Sequence, residues 1–411
     1  MVFRLWQDRS GGVAVIFALT LVPALGIVGA AVDYARLASA RQHIQQAVDA
    51  SALEAAKATL TLASESEALR DKRARAIYEA NLSLYKDVTT DSFTISRASD
   101  KLKLDASGTV TLVFGGFLGM SVATVDASAT VPLGMNDLEV ALVLDNTGSM
   151  KDYGKIDNLR TAAKNFITTI ENAKTAGSVG KASFAVVPFA TQVRIDPGLK
   201  AATWLSFALA TGTSRDDYTQ VTAGDWTGCI ADRAQPYNSQ YSAPTGAAPT
   251  QYPAARCADN NLKGIIPLST DYGALRTAIS AMTPSGNTNT TIGLAWGLNV
   301  LTKGMPLGDA AVPAGNKRTS KAIVFLTDGD NTQDRFDKSR SNIDARMTTL
   351  CAAAKLTEIS IYTIRVMQGN ETLLQNCAST PDNYFSITAA SDLDPLFQRI
   401  ARSLLRLRLS S

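Results

Sequence analysis

At 411 residues the chain allows two or three domains and is too long for a single small module. Hydrophobic residues make up 45% and charged residues 19%, which gives enough apolar material for packed cores and too little charge for a disordered chain. A net charge of +3 without a basic block argues against a nucleic-acid surface, and the single histidine, His43, excludes a His-rich zinc site and leaves one residue for any triad chemistry.

Gly11 to Val32 is uncharged and mostly apolar, bounded by Arg9 and Asp33. At 1.5 Å per residue it spans about 33 Å, which predicts a bilayer-crossing helix over 11–32 behind a short segment, 1–10. Pro23 is tolerated there because neighbours can satisfy the freed carbonyl. A cleaved secretory signal is the alternative, with Arg4 and Arg9 as its positive start and the small residues around Val28 to Ala31 as its cleavage region. Against it, the run is longer than a signal core and passes into Tyr34 to Lys57, a helical pattern free of Gly and Pro. The helix is therefore expected to continue outward as a helical stalk over 33–90, with His43 solvated on it and a second helical stretch at Glu65 to Asn81. Over 91–135 the period changes: SFTISRA, KLKLDAS, TVTLVF and SVATVDASATVPLG are short alternating runs that predict a small antiparallel sheet and a pilin-like α+β plan.

From residue 136 strand and helix patterns alternate. Strands are expected at 138–145, 182–190, 322–329 and 359–366, and helices at 155–173, 271–282, 292–302, 341–355 and 392–405. This order predicts an α/β domain over 136–404, a doubly wound and mostly parallel sheet with helices on both faces. The series is interrupted at 192–270 by a segment rich in Pro, Gly, Ser, Tyr and Trp that holds Cys229 and Cys257, and it reads as a disulfide-held insertion. The four cysteines fall in two local pairs, Cys229 with Cys257 and Cys351 with Cys377, 28 and 26 residues apart. Bridged, each loop would stabilise the fold by about 3 to 3.5 kcal/mol. No Cys-x-x-Cys occurs, so metal and redox motifs are poorly supported, and residues 33–411 are placed in an oxidising compartment with the N-terminus in the cytoplasm. Arginines on the two sides of the apolar run nearly balance and do not orient it. The end, 405–411, alternates as LRLRL and reads as a strand returning to the small sheet, or a tail.

Three pieces carry chemistry. Asp145-Asn146-Thr147-Gly148-Ser149 stands at the carboxyl end of the first α/β strand, where open sheets hold ligands. Gly286 to Leu294 is a hydroxyl-rich stretch that opens a helix, and Thr327-Asp328-Gly329 ends another buried strand. Together they offer two carboxylates and three hydroxyls, hard oxygen donors that suit Mg²⁺ or Mn²⁺. The competing reading of 145–149 is a turn whose side chains cap backbone N–H groups. Asp330, Asn331 and Asp334 do not match a calcium-loop spacing and are expected to form a solvated rim.

In these residues the sequence resembles the von Willebrand factor A domain, whose metal-ion-dependent adhesion site has the pattern Asp-x-Ser-x-Ser, a distant Thr and a distant Asp in a Thr-Asp-Gly turn. The resemblance implies the metal ligands Asp145, Thr147, Ser149, Thr288 and Asp328, with Thr147 standing where Ser is more common. It also implies a site at which an acidic side chain of a protein partner completes the coordination. The N-terminal stretch Arg9-Ser-Gly-Gly-Val-Ala-Val-Ile-Phe-Ala-Leu, with Pro23 and Ala31-Val-Asp33-Tyr34-Ala35, is similar to the membrane segment of TadE/TadG-like proteins of tight-adherence (Flp-type) pilus assembly. Trp226-Thr-Gly-Cys229, Gly286-Asn-Thr-Asn-Thr290 and Cys377 resemble the TadG kind, which joins that anchor to an A domain. No Glu follows Gly12 within Val13 to Phe17, which speaks against prepilin-peptidase cleavage and for a retained anchor. The expectation is a non-enzymatic, single-pass protein of the bacterial inner membrane with a periplasmic A domain. Its partners would be the lipid bilayer and a protein such as a pilus-assembly component, and neither nucleic acid nor a small-molecule substrate. A structural anchor with a vestigial metal site is the alternative. A hydrolase using Asp145 or Ser149 is a further reading, for which the sequence shows no base-plus-nucleophile pair apart from the remote His43.

Overall fold

The computed structural model describes residues 12–61, 65–83, 85–98, 101–132, 137–175, 179–208, 221–258, 260–316 and 318–406, in two compact units, Met1–Gly134 and Met135–Ser411.

In the first unit a continuous helix α1 (Gly12–Thr61) is followed by α2 (Glu67–Leu82) and an antiparallel sheet of β1 (Val88–Arg97), β2 (Lys101–Thr111) and β3 (Val122–Pro132) in the order β1-β2-β3. The two halves of α1 differ in their surroundings. Ile16 to Val32 carries exposed Ile, Phe, Leu and Val side chains, whereas Ile44, Ala47, Val48, Ala52 and Ala55 are fully buried. Those positions recur at the three- and four-residue spacing of one helix face, and they meet Leu102, Leu104 and Ala106 on the sheet and Ala74 and Tyr78 on α2. In place of the stalk expected over 33–90, the second half of α1 and α2 pack as the two helices of a small α+β unit. His43 is half-buried rather than free on the helix: its ring stacks on Tyr85 with centroids 3.3 Å apart, and Nε2 shares a 3.2 Å hydrogen bond with Ser39. KLKLDAS and the first three residues of TVTLVF join into one strand, because the period-two burial of β2 runs unbroken through Gly108, where a Cβ would press on Val88 and Ile44; Leu112 to Phe114 lie in the turn that follows.

The second unit is built on β4 (Asp137–Asp145), α3 (Lys155–Thr175) and β5 (Ala182–Phe189), then four two-residue strands, β6 (Val193–Arg194), β7 (Leu205–Ser206), β8 (Cys229–Ile230) and β9 (Tyr252–Pro253). It continues with β10 (Ile266–Ser269), α4 (Tyr272–Ser280), α5 (Thr290–Val300), β11 (Thr319–Thr327), α6 (Arg340–Ala354), β12 (Ile359–Val366), α7 (Glu371–Cys377), β13 (Tyr384–Ile387) and α8 (Leu393–Arg406). The main sheet has the order β10-β5-β4-β11-β12-β13, parallel except for β10 at its edge. Alternate residues of β4 feed opposite layers. Leu138, Val140, Leu142 and Leu144 pack with α3, α4 and α8, while Ala141 and Val143 pack with α5 and α6. Alternation on a strand buried on both faces gives the doubly wound α/β sheet expected from the sequence.

β10 lies inside 192–270 yet belongs to the main sheet, and α7 and β13 follow patterns too short to read as elements. Leu405 and Arg406 end α8 rather than start a strand; 407–411 fall outside the described residues. Cys229 is bonded to Cys257 and Cys351 to Cys377, the second bridge tying α6 to α7. The loop-rich segment packs on α5 through Tyr252 and Trp204, whose ring centroids lie 4.9 and 5.9 Å from that of Trp296. α5 in turn lies close on the sheet through two glycines a helical turn apart. A Cβ at Gly297 would stand 2.6 Å from Val143 Cγ2, and one at Gly293 2.8 Å from the Phe189 ring. Gly297→Ala is therefore expected to cost stability: overpacking of about 1–3 kcal/mol outweighs about 1 kcal/mol of helix propensity. The measurement is a lower urea midpoint at unchanged slope.

Candidate functional site

The chain runs from β4 through α3 to β5 on one side of the sheet and later returns to β11 on the other, so the winding reverses between β4 and β11. Clefts form outside the carboxyl ends of strands at such a reversal. The register pairs Leu144 with Leu326, which sets Asp145 beside Thr327 and Asp328.

Asp145 is fully buried. Its Oδ1 accepts from the Thr147 amide at 2.8 Å and its Oδ2 from the Thr327 hydroxyl at 2.7 Å. The Thr147 and Ser149 hydroxyls are 3.1 Å apart, and Ser149 Oγ donates to Asp328 Oδ1 at 2.6 Å. Thr288 comes from the loop before α5. Its amide donates to Thr332 Oγ1 at 2.8 Å, and its carbonyl accepts from the amides of Thr332 and Gln333. A Cβ built on Gly329 would lie 3.6 Å from Ser149 Oγ and 3.9 Å from Thr288 Oγ1, so the bare glycine leaves open a cradle between two hydroxyls from different loops. The five residues singled out in the sequence, Asp145, Thr147, Ser149, Thr288 and Asp328, thus stand together on three loops at one sheet edge. Among the described residues no three His, Cys, Asp or Glu side chains converge, so any cation here would depend on hydroxyls beside two carboxylates. That donor set fits a hard dication that keeps part of its water shell.

The loops are cross-tied. Gly148 N donates to the Gly286 carbonyl, Ser285 N to the Asn146 carbonyl, and Asn146 Nδ2 to the Thr283 carbonyl at 2.8 Å. Asn289 caps α5 by accepting from the Ile292 amide, and Thr290 bonds Asn331 Oδ1 through both its amide and hydroxyl. Asn331 and Asp334, expected on a solvated rim, are buried at 3% and 1% exposure: Asn331 bridges α5 to Asp344, and Asp334 pairs with Arg346. Burial drives the Asp145 carboxyl up to about 6, with the nearby Asp328 carboxylate adding to the shift and the Thr147 and Thr327 hydrogen bonds opposing it.

Lys155 is the residue that motif reading passes over. Its Nζ lies 2.7 Å from Asp328 Oδ2 and 3.4 Å from the Ser149 carbonyl, with the two side chains 3% and 0% exposed. A usable signal does exist in the sequence. Lys155 opens α3, where the helix dipole disfavours a cation, so a lysine held there calls for an anion close by. Thr327 was likewise visible only as part of the turn, and its hydroxyl proves to hold the second oxygen of Asp145.

A family model described as "Putative Flp pilus-assembly TadE/G-like" matches residues 11–58, and a von Willebrand factor type A domain model matches 254–399. The second match contains Thr288 and Asp328 and begins after Ser149. No curated protein matches. Among solved structures, the pilus adhesin SpaC from Lactobacillus rhamnosus GG is similar at 13% identity and TM-score 0.41, over 78% of this chain and 35% of that one. The vWF domain of the type V pili tip protein Mfa5 from Porphyromonas gingivalis is similar at 12% identity and TM-score 0.40, over 66% of this chain and 95% of that one. Proximal thread matrix protein 1 from the mussel byssus, titled as having a zinc-occupied MIDAS motif, is similar at 14% identity and TM-score 0.33, over 65% and 47%. The chain spans about a third to a half of the length of SpaC and of the byssus protein.

Proposed function

We propose, from the premise that this chain joins a TadE/G-like N-terminal region to a von Willebrand factor A domain, that it is a membrane-anchored protein of pilus assembly or adhesion. In this reading α1 crosses the bacterial inner membrane, the A domain lies in the periplasm, and a protein partner is recognised at the Asp145 and Asp328 site without catalysis. One observation carries the metal reading: Asp145, Thr147, Ser149, Thr288 and Asp328 converge from three loops around a cradle that Gly329 leaves open. These side chains would hold Mg²⁺ or Mn²⁺, and a bound dication supplies an electrophilic position for a carboxylate oxygen of the partner. Thr327 and the Thr147 amide keep Asp145 oriented, and the cross-tied loops keep the hydroxyls in place before any ion arrives. Two disulfides suit the oxidising compartment that the reading requires.

The structural-anchor reading draws on one fact, that the Lys155 ammonium already neutralises Asp328. Calorimetric titration of the purified chain with Mg²⁺ and Mn²⁺ separates the two. Saturable binding that is lost in both Asp145→Ala and Asp328→Ala supports a working site; no binding by the unmodified chain, or equal binding by the variants, leaves the anchor.

A further inference from the structure

The turn between β2 and β3 has an unusual composition for a hairpin tip: from Ala106 to Val125 no side chain is charged, and the tip itself reads Leu-Val-Phe-Gly-Gly-Phe-Leu-Gly-Met. Val113, Phe114, Met120 and Val122 are 51%, 39%, 59% and 54% exposed, a cluster of large apolar side chains on one end of a small unit. The tip is fastened to α1. The Asp33 carboxylate, itself 6% exposed, accepts the amides of Val113, Phe114 and Gly115 at 2.8, 2.9 and 2.7 Å. One turn earlier, Gly29 is covered by Phe114, whose ring carbons stand 2.7 to 2.9 Å from where a Cβ would be.

Asp33 is the first charge after the apolar run of α1, and the exposed Tyr34 follows it as an aromatic at the level where polar headgroups begin. Phe114 packs four residues, or roughly 6 Å, to the apolar side of that level. Amides that enter the interface need internal partners, and Asp33 supplies acceptors for three of those at the tip. We propose that the β2–β3 tip is a second membrane contact, with Val113, Phe114 and Met120 immersed in lipid beside α1. The occupant is lipid because the apolar surface of the tip continues that of the exposed half of α1. The inference rests on the reading of α1 as a membrane helix, and the test separates the two.

The photocrosslinking residue p-benzoylphenylalanine is placed singly at Leu25, Phe114, Met120 and Lys103 of the full chain in phosphatidylethanolamine–phosphatidylglycerol nanodiscs, and adducts are read by mass spectrometry. Leu25 reports α1, Lys103 the far end of the sheet, and Met120 stands in where a bulkier group at Phe114 disturbs the packing on Gly29. Lipid adducts at Leu25 and Met120 with none at Lys103 are expected. Lipid adducts at Leu25 with only protein adducts, or none, at Phe114 and Met120 overturn the second contact and leave the anchor standing. Absence of lipid adducts at Leu25 overturns the anchor and the inference with it.

Discussion

Lys155→Met is expected to lower the stability of the metal-free protein by about 3–5 kcal/mol and, in the same variant, to enlarge the stabilisation given by saturating Mg²⁺. The two effects have one origin. The Lys155 ammonium lies 2.7 Å from Asp328 Oδ2 with both side chains buried, and without it Asp328 keeps only the Ser149 hydroxyl as donor in that contact. An uncompensated buried carboxylate is costly, hence the loss. A dication entering the unmodified site meets two carboxylates and one ammonium, whereas in the variant it meets two carboxylates and no competing cation. Each 1.4 kcal/mol of repulsion removed corresponds to a tenfold tighter dissociation constant. Melting curves with and without Mg²⁺, together with a calorimetric titration, read both signs. A variant with lowered metal-free stability and unchanged or weaker Mg²⁺ binding would show that Lys155 does not oppose the ion and that its pairing is purely structural.

This pairing also marks where sequence reasoning stops. Asp145, Thr147 and Ser149 are legible because they end a strand of continuous apolar residues, and Asp328 because it ends another; parallel pairing of β4 with β11 then brings the two together without further information. Thr288 is legible as a hydroxyl at a helix start. Lys155 gives only the indirect sign of a cation at a helix start: a helical period treats it as the polar edge of α3, and the anion that explains its burial comes from a strand 173 residues away. The same limit explains the first unit. The stretch of α1 from Ala40 to Ala55 is rich in alanine and glutamine, a composition that fits a solvated rod as well as a core helix, and only the apolar side chains of β2 and β3 packed against one of its faces decide between them. Likewise His43 has no local sign of its Tyr85 partner, which arrives after α2 has turned the chain back.

Asp232→Asn is expected to stabilise the second unit at pH 8, with a gain that shrinks steadily as the pH is lowered towards 4. Asp232 lies in the segment between β5 and β10 and is 3% exposed. Its Oδ2 accepts from Asn289 Nδ2 at 2.8 Å and from the Arg335 amide at 3.4 Å, and its carbonyl accepts from Arg335 Nη1 at 2.6 Å. These contacts tie the disulfide-held segment to the capping residue of α5 and to the loop after β11, the two loops that carry Thr288 and Asp328. Burial, then the Asp334 carboxylate, push its pKa from 3.8 up to about 7, against the pull of Arg335 and Arg346. The sign follows from proton linkage. Between pH 4 and 7 the folded state holds a proton that the unfolded chain has released, so stability falls as pH rises, at up to about 1.4 kcal/mol per pH unit. Asparagine keeps an acceptor for Asn289 and for the Arg335 amide while removing the charge, so the slope flattens and the gain grows from pH 4 to its full value above pH 7. Urea unfolding at pH 5, 6, 7 and 8 measures it, and parallel curves for the two proteins would mean that Asp232 titrates alike in the folded and unfolded chains. Because Asn289 starts the helix behind Thr288, the same substitution should leave Mg²⁺ binding intact at pH 8, which separates bracing of the loops from ligation of the ion.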